Sequence, residues 1–273
     1  MIITRAQRVG LSVYAGLVLL VFYFPIFCLA AASFSKKRYF SFPYPWADVT
    51  TRWYVEAASS AQVAQFVGVS LRIAALTTIL SLLIGFFASL AYARYAWRGR
   101  RTFQRLVLLP LFFPQSVLGL ALLMWFNFLG VKPSWWTAVI AHTVWIAPIA
   151  TLIMSIRAYG LDPSLEEAAR DMGASRWQIL RWITIPLMAP GIVSAACFSI
   201  LLSWGNFALS LFTTGADSSL PEWLYARMTS GYQPIIPAVG TLSVAAAIVV
   251  VLAGAAVLGI RRRFAARRLA AAV

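Results

Sequence analysis

The sequence predicts an all-α membrane protein: six transmembrane helices with a cytoplasmic helix-turn-helix loop between helices 4 and 5. Three observations carry that reading. Apolar residues make up 61% of the 273 residues and charged ones only 11%, with a mean hydropathy of +0.80, far from the composition of a soluble domain. Six apolar runs are long enough for a hydrocarbon core of about 30 Å, which takes about 20 helical residues. A polar, glycine-broken segment, 158–188, interrupts the series between the fourth and fifth runs.

The runs fall at 10–32, 68–92, 106–129, 135–156, 190–212 and 237–260. Backbone polar groups in lipid must be satisfied within each segment, so runs this long and this uniformly apolar read as helices. The chain is taken as one six-helix transmembrane domain, 1–273. The start has some marks of a signal peptide: Arg5 and Arg8, then an apolar run, then Ala30, Ala31 and Ala32. An h-region is about 7–15 residues long, shorter than this run, so a retained helix is the expectation.

The formal net charge of +15 invites a nucleic-acid reading until the basic residues are placed. Arg5 and Arg8 precede the first span; Arg94, Arg98, Arg100, Arg101 and Arg105 follow the second. Arg157, Arg170, Arg176 and Arg181 follow the fourth; Arg261, Arg262, Arg263, Arg267 and Arg268 follow the sixth. The other side holds only Lys36, Lys37, Arg38, Arg52, Lys132 and Arg227, with Arg72 placed to snorkel near the outer end of span two. By the positive-inside rule both termini are cytoplasmic. The clusters are topology signals and anionic-lipid contacts, with no nucleic-acid partner.

No metal or nucleophile chemistry is legible. His142, the one histidine, lies within span four with no carboxylate or cysteine at ligand spacing, and Cys28 and Cys197 read as packing residues. All eight acidic residues lie outside the spans, which disfavours a proton- or sodium-coupled carrier. No G-x-x-x-x-G-K-[ST] run is present, so no nucleotide site is expected in this chain.

The segment EEAARDMGASRWQILRWITIP, 166–186, parses as two short helices. Asp162 and Pro163 form a turn or first-turn pair, and Ser164 to Glu167 reads as a capping box opening the first helix. Leu165, Ala168, Ala169 and Met172 share one apolar face, while Glu166 and Arg170 are spaced to pair on the other. Gly173 suits a left-handed C′ position. Ser175 to Gln178 forms a second box, opening a helix through Trp177, Leu180 and Ile183 that Pro186 ends or bends. Such a loop either lies on the bilayer surface or docks on a protein. Its four carboxylates, Asp162, Glu166, Glu167 and Asp171, would be repelled by anionic lipid, which favours a protein groove.

This stretch resembles the EAA loop of binding-protein-dependent ABC importer permeases, whose pattern is E-A-A, three residues, G, nine residues, I-x-L-P. Glu167, Ala168, Ala169, Gly173, Ile183 and Pro186 match it, with Ile185 in place of leucine. GFFASLAYARYAWRGR from Gly85 to Arg100 and LLPLFFPQSVLGLAL from Leu108 to Leu122 are similar to other parts of the same family, and the likeness spans roughly residues 60–260. In overall texture the chain resembles the branch for polyamines, opines and aminoalkylphosphonates. The resemblance implies a non-catalytic subunit of the bacterial inner membrane, passing a small amine-type solute inward. Its partners would be two ATPases docked on the EAA loops, a second permease that is a copy or a different chain, and a periplasmic or lipid-anchored solute-binding protein. ATP and Mg would be held by the ATPases, with no cofactor in this chain. The alternatives are a self-contained carrier or channel, or a membrane scaffold without a transport role.

In span five Ser199, Ser203, Asn206, Ser210 and Thr213 recur at helical spacing. The stripe either hydrogen-bonds helices together or, with Trp204, lines a solute path. As a path it carries no carboxylate, so an uncompensated polycation would be costly there and a zwitterionic or anionic amine is favoured over spermidine. Cation–π contacts of about 0.5–2 kcal/mol each, to Trp204 and other aromatics, would offset part of that cost. Outside the spans, the loops 33–67 and 214–236 are expected to receive the solute-binding protein. The dense aromatics of the first, Phe34, Tyr39, Phe40, Phe42, Tyr44, Trp46, Trp53 and Tyr54, read equally as an interfacial belt. Photocrosslinkers on the binding protein should label these two loops; labelling that avoids both would overturn the assignment.

Overall fold

A computed structural model describes residues 5–37 and 48–270. Among them the regular structure is helical, apart from an isolated antiparallel bridge between Ser35 and Val49. The described residues cluster into two compact units: Met1–Ala64 with Leu224–Ala246, and Gln65–Trp223 with Ala247–Val273. Tyr39, Phe40, Phe42, Tyr44 and Trp46 of the expected outer platform lie outside the described residues.

In the first unit, helix α1 (Arg5–Ser33) continues through Pro25, and helix α2 (Arg52–Ser59) follows it. Trp53 Nε1 donates to the Ser35 carbonyl at 2.8 Å, and the Phe34 and Tyr54 rings lie 5.2 Å apart. These contacts tie the aromatics of the loop to the end of α1.

The second unit is a bundle of helices. Helix α3 (Ala61–Ala93) enters it from Gln65. Helix α4 (Arg100–Leu108), a 3₁₀ turn (Leu109–Phe112) and helix α5 (Gln115–Phe128) occupy the third apolar run. Expected as one span, that run is broken into two helices bent by 103°. Pro114 sits at the N-cap of α5 with ψ 134°, where its ring and missing N–H prevent the α4 backbone from continuing. Helix α6 (Trp135–Tyr159) is continuous through Pro148. Among the described residues five helices are long and apolar enough to cross a membrane, and six spans result when the bent pair counts as one.

After α6 come helix α7 (Pro163–Asp171) and helix α8 (Arg176–Ile179), then a π turn (Leu180–Thr184) and helix α9 (Ile185–Trp204). Pro186 does not end this helix, because the π turn preceding it widens the backbone and a continuous helix runs Arg176–Trp204. The fifth run instead breaks at Gly205 and Asn206, and helix α10 (Phe207–Thr213) starts anew. Glycine is a weak helix former, and Asn206, with ψ 100°, caps α10 by accepting from Leu209 N at 3.0 Å. The polar stripe of that run is thus split over two helices and does not form one continuous helical face. Helices α11 (Leu220–Ser230) and α12 (Ile235–Ala270) follow.

The core of the second unit is shared by α3, α6 and α9 through Phe86, Leu90, Ala150, Met154, Ala158, Met188 and Ala195. Small residues let these backbones approach, as expected where lipid supplies no hydrophobic drive between helices. A Cβ at Gly85 would meet Thr151 N at 3.0 Å and Ala150 C at 3.1 Å, both backbone atoms of α6 that cannot rotate away. Gly85→Val should therefore cost about 1–3 kcal/mol through overpacking, read as a lower thermal midpoint in detergent. An unchanged midpoint would show that the α3–α6 contact tolerates separation.

Candidate functional site: the helix-turn-helix and the broken fifth span

Helix α7 begins differently from the expected Ser164–Glu167 box. Asp162 is the N-cap, its Oδ1 accepting from Ser164 N at 3.0 Å, and Pro163 occupies the first helical position. With Asp162 already in place, Ser164 falls inside the first turn and its hydroxyl has no capping role. The Ser164 amide is the main cause holding the Asp162 carboxyl below its ordinary range.

The end of α7 matches expectation. Gly173 has φ +84°, its N–H donates to Arg170 O at 2.8 Å, and Ala174 N donates to Ala169 O at 2.9 Å. This pair of bonds is a Schellman motif, closed by a left-handed residue. The second box also forms: Ser175 N donates to Gln178 Oε1 at 2.7 Å and Gln178 N to Ser175 Oγ at 3.3 Å. Two short helices joined by one glycine turn are thus fixed by local bonds at each junction.

The expected apolar face of α7 divides. Ala169 is buried, whereas Ala168 and Leu165 are exposed and Met172 is 82% exposed. Trp177 and Trp182 (71% exposed) extend this outward surface. Met172, Gly173, Gln178, Trp182 and Ile183 line a shallow groove of about 350 Å³. Pro186 and Glu167 are both exposed, and Glu167 carries no ion pair among the described residues. Large apolar side chains on a short, rigid, charged-rimmed segment have the form of a docking surface.

Glu166 faces the other way. Arg94, just past α3, places Nη2 3.2 Å from Glu166 Oε2 and Nη1 2.7 Å from the Leu161 carbonyl. Arg170 approaches the same carboxylate at 3.8 Å, the pairing its spacing predicts, and Thr184 donates to Oε1 at 3.0 Å. The Arg94 and Glu166 side chains are 11% and 16% exposed, so this pair is screened far less than a surface bridge. A cavity of about 410 Å³ adjoins the cluster and is also lined by Tyr95 and Arg176. Sequence reasoning assigned Glu166 to the loop but missed Arg94 and Thr184. Their signal was confined to the first arginine of a basic cluster after an apolar run and a threonine inside a helical one.

In the broken fifth span, His142 Nδ1 lies 2.9 Å from Ser203 Oγ and Nε2 3.1 Å from Ser210 Oγ. Ser210 donates its proton to Asn206 O at 2.7 Å, so Nε2 carries the imidazole proton and Nδ1 accepts from Ser203. Two stripe residues therefore fasten α9 and α10 to α6. Ser199 is buried without a hydrogen-bond partner among the described residues, and Trp204 is half-buried. Gly205 and Asn206 open with Gln115 onto a shallow groove of about 390 Å³. A buried histidine with two hydroxyl partners seven residues apart was legible only by asking where its ring nitrogens would be satisfied.

Comparison with known proteins gives a family match. Residues 81–270 match the family described as the binding-protein-dependent transport system inner membrane component. The spermidine/putrescine transport system permease protein PotC of Escherichia coli (strain K12) is 30% identical over 232 residues, covering 85% of this chain and 87% of its own. The putrescine transport system permease protein PotI of the same strain is 30% identical over 228 residues, covering 81% and 80%. Among solved structures, a bacterial ABC transporter for import of the acidic polysaccharide alginate aligns with a TM-score of 0.67 at 19% identity, covering 93% of this chain and 98% of that one. The inward-facing MetNI methionine ABC transporter gives 0.63 at 22% identity, covering 72% and 95%. These last two likenesses establish the fold.

The cap and the path assignments of Asn206 separate by mutation. Asn206→Leu removes the α10 cap and should cost about 1 kcal/mol, whereas Asn206→Ser keeps an acceptor and should stay within about 0.5 kcal/mol of the parent. Thermal unfolding in detergent reads both, and equal stability of the two variants would contradict the capping role.

Proposed function

The chain belongs to the family of inner-membrane components of binding-protein-dependent transport systems, and from that premise we propose how it works in its transporter. It is a multi-pass permease component of an ABC importer. In our reading it performs no catalysis: two separate ATPases bind ATP and Mg, and each docks on a permease through the groove of one helix-turn-helix. The second permease is a copy of this chain or a distinct one. Both termini, and α7 with α8, lie on the cytoplasmic side. A solute-binding protein docks on the opposite face; the bacterial alginate ABC transporter is known in complex with an alginate pentasaccharide-bound periplasmic protein.

The observation that carries the docking assignment is the outward apolar surface of Leu165, Met172, Trp177 and Trp182, presented by a segment whose ends are locally capped. Driving a transporter from 1:99 to 99:1 between two states takes about 5.5 kcal/mol of differential binding, which only a stiff segment transmits to the spans. ATPase closure displaces α7 and rocks the bundle between inward and outward openings. A self-contained carrier or channel, or a scaffold, needs no such surface.

The solute we propose is a small amine. PotC and PotI are named for spermidine and putrescine, which favours a polyamine. The lack of any carboxylate within the spans favours instead an opine or aminoalkylphosphonate, whose own negative charge offsets its ammonium. Uptake of putrescine, an opine and 2-aminoethylphosphonate by the reconstituted complex separates the two, and preference for putrescine would set the charge argument aside.

A tagged chain should co-purify a separate ATPase; its absence would overturn the docking assignment. Gly173→Pro cannot adopt the observed positive φ, and Glu167→Arg reverses the rim charge, so both should insert normally yet lose coupling of ATP hydrolysis to uptake. Full uptake by both variants would reduce the segment to a surface helix.

A further inference from the structure

Between the end of α6 at Tyr159 and the start of α7 at Pro163 lie only Gly160, Leu161 and Asp162. Such a short linker positions α7 but, left alone, behaves as a hinge about which a pushed helix would swivel instead of carrying its neighbours. Arg94 closes that hinge from outside. Its two terminal nitrogens are divided between the linker, at the Leu161 carbonyl (2.7 Å), and α7 itself, at Glu166 (3.2 Å). The planar guanidinium holds these donors in a fixed fork, so linker and helix are held in one orientation relative to the end of α3. Glu166 is likewise used on both oxygens, Oε2 toward Arg94 and Oε1 toward the Thr184 hydroxyl at 3.0 Å. Thr184 is buried in the π turn immediately before α9. Helix α7 is therefore attached at one carboxylate to the end of α3 and the beginning of α9, which share the core with α6.

We infer that Arg94 and Thr184 are positioning residues for coupling: acting through Glu166, they make α7, the end of α3 and the start of α9 move as one body when α7 is displaced. This rests on the docking assignment above and adds what that assignment lacks, a connection from the docked helix into two membrane spans. The clamp stands opposite the docking surface, since Met172 and Trp182 point outward while Glu166 points inward. Loss of the clamp should accordingly leave ATPase binding in place and weaken what the binding accomplishes.

The test uses the full complex, captured by a tag on this chain, in a Cys28→Ser, Cys197→Ser background carrying Ala216→Cys in the exposed loop before α11. The readout is the rate at which a membrane-impermeant maleimide labels Cys at position 216, with and without trapping by MgATP and vanadate. The parent complex should show a trap-dependent change in labelling rate of about fivefold or more, the lower range of ordinary allosteric coupling. Arg94→Ala should retain the ATPase and lose most of that change. Arg94→Glu and Glu166→Arg should each lose it, and the double swap should recover it to within about twofold of the parent, because the pair is restored with its charges exchanged. Thr184→Val, which removes the hydroxyl with little change in volume, should reduce the change by a smaller factor.

A full trap response in Arg94→Ala with the ATPase bound would overturn the inference, as would a double swap no better than its singles. If the arginine variants fail to accumulate in membranes, Thr184→Val decides alone, and a parental response there overturns the clamp. A parent complex without ATPase, or without a trap response, would instead refute the docking assignment on which the clamp rests.

Discussion

A single carboxylate, that of Glu166, sits where the polar segment meets the bundle, and the arrangement of that segment depends on its compensation. Enclosed to 16% exposure, it would be costly without partners. Arg94, Arg170 and Thr184 supply them from three different parts of the chain. The close packing beneath is what brings those partners within reach. Gly85 meets the α6 backbone, and a Cβ at Gly191 would press on the Arg157 side chain, so α3 and α9 both lie tight against α6. Small residues fix the helix separations, the separations place Arg94 and Thr184, and these orient α7 with its apolar side outward.

The same constraint, that polar groups leaving regular backbone geometry must find partners, shapes the opposite half of the second unit. The break at Gly205 frees backbone groups of α9 and α10, and Asn206 caps the new helix. Histidine 142 then joins Ser203 to Ser210 across the break. Near the start of α6, Thr137 donates to Thr213 O at 2.6 Å, and Asp217 accepts from Trp135 N at 3.1 Å. Asp217 of the loop after α10 is committed in this way to a helix end, and Glu222 in the first turn of α11 accepts from Ser219 N at 2.6 Å. Their placement outside the spans serves these helix ends.

Helix identity was legible because hydrophobic run length is dictated by bilayer thickness, and the turn of the polar segment was legible because few residues besides glycine take φ +84°. Breaks inside apolar runs were not. Pro25, Pro148 and Pro190 all lie within continuous helices, whereas Pro114 marks a bend of 103°. Proline alone therefore does not tell a tolerated kink from a break, since neighbouring helices decide whether the freed carbonyls are satisfied. Ser164 was misassigned because S-x-x-E and Asp-Pro both signal a helix start, and the two candidate caps lie only two residues apart. Glu166 and Arg170 are neighbours along one helix and could be paired from spacing. Arg94 and Thr184 come together with them only through tertiary packing, which no local pattern encodes.

The account turns on the segment from α7 to the π turn being a preformed surface for the ATPase. Hydrogen–deuterium exchange on the purified permease, alone and in the full complex, measures this directly. The account predicts that amides of 163–183 are already slowed in the permease alone and gain further protection when the ATPase is bound. Unchanged exchange across that stretch on ATPase binding, with protection appearing elsewhere, would contradict it.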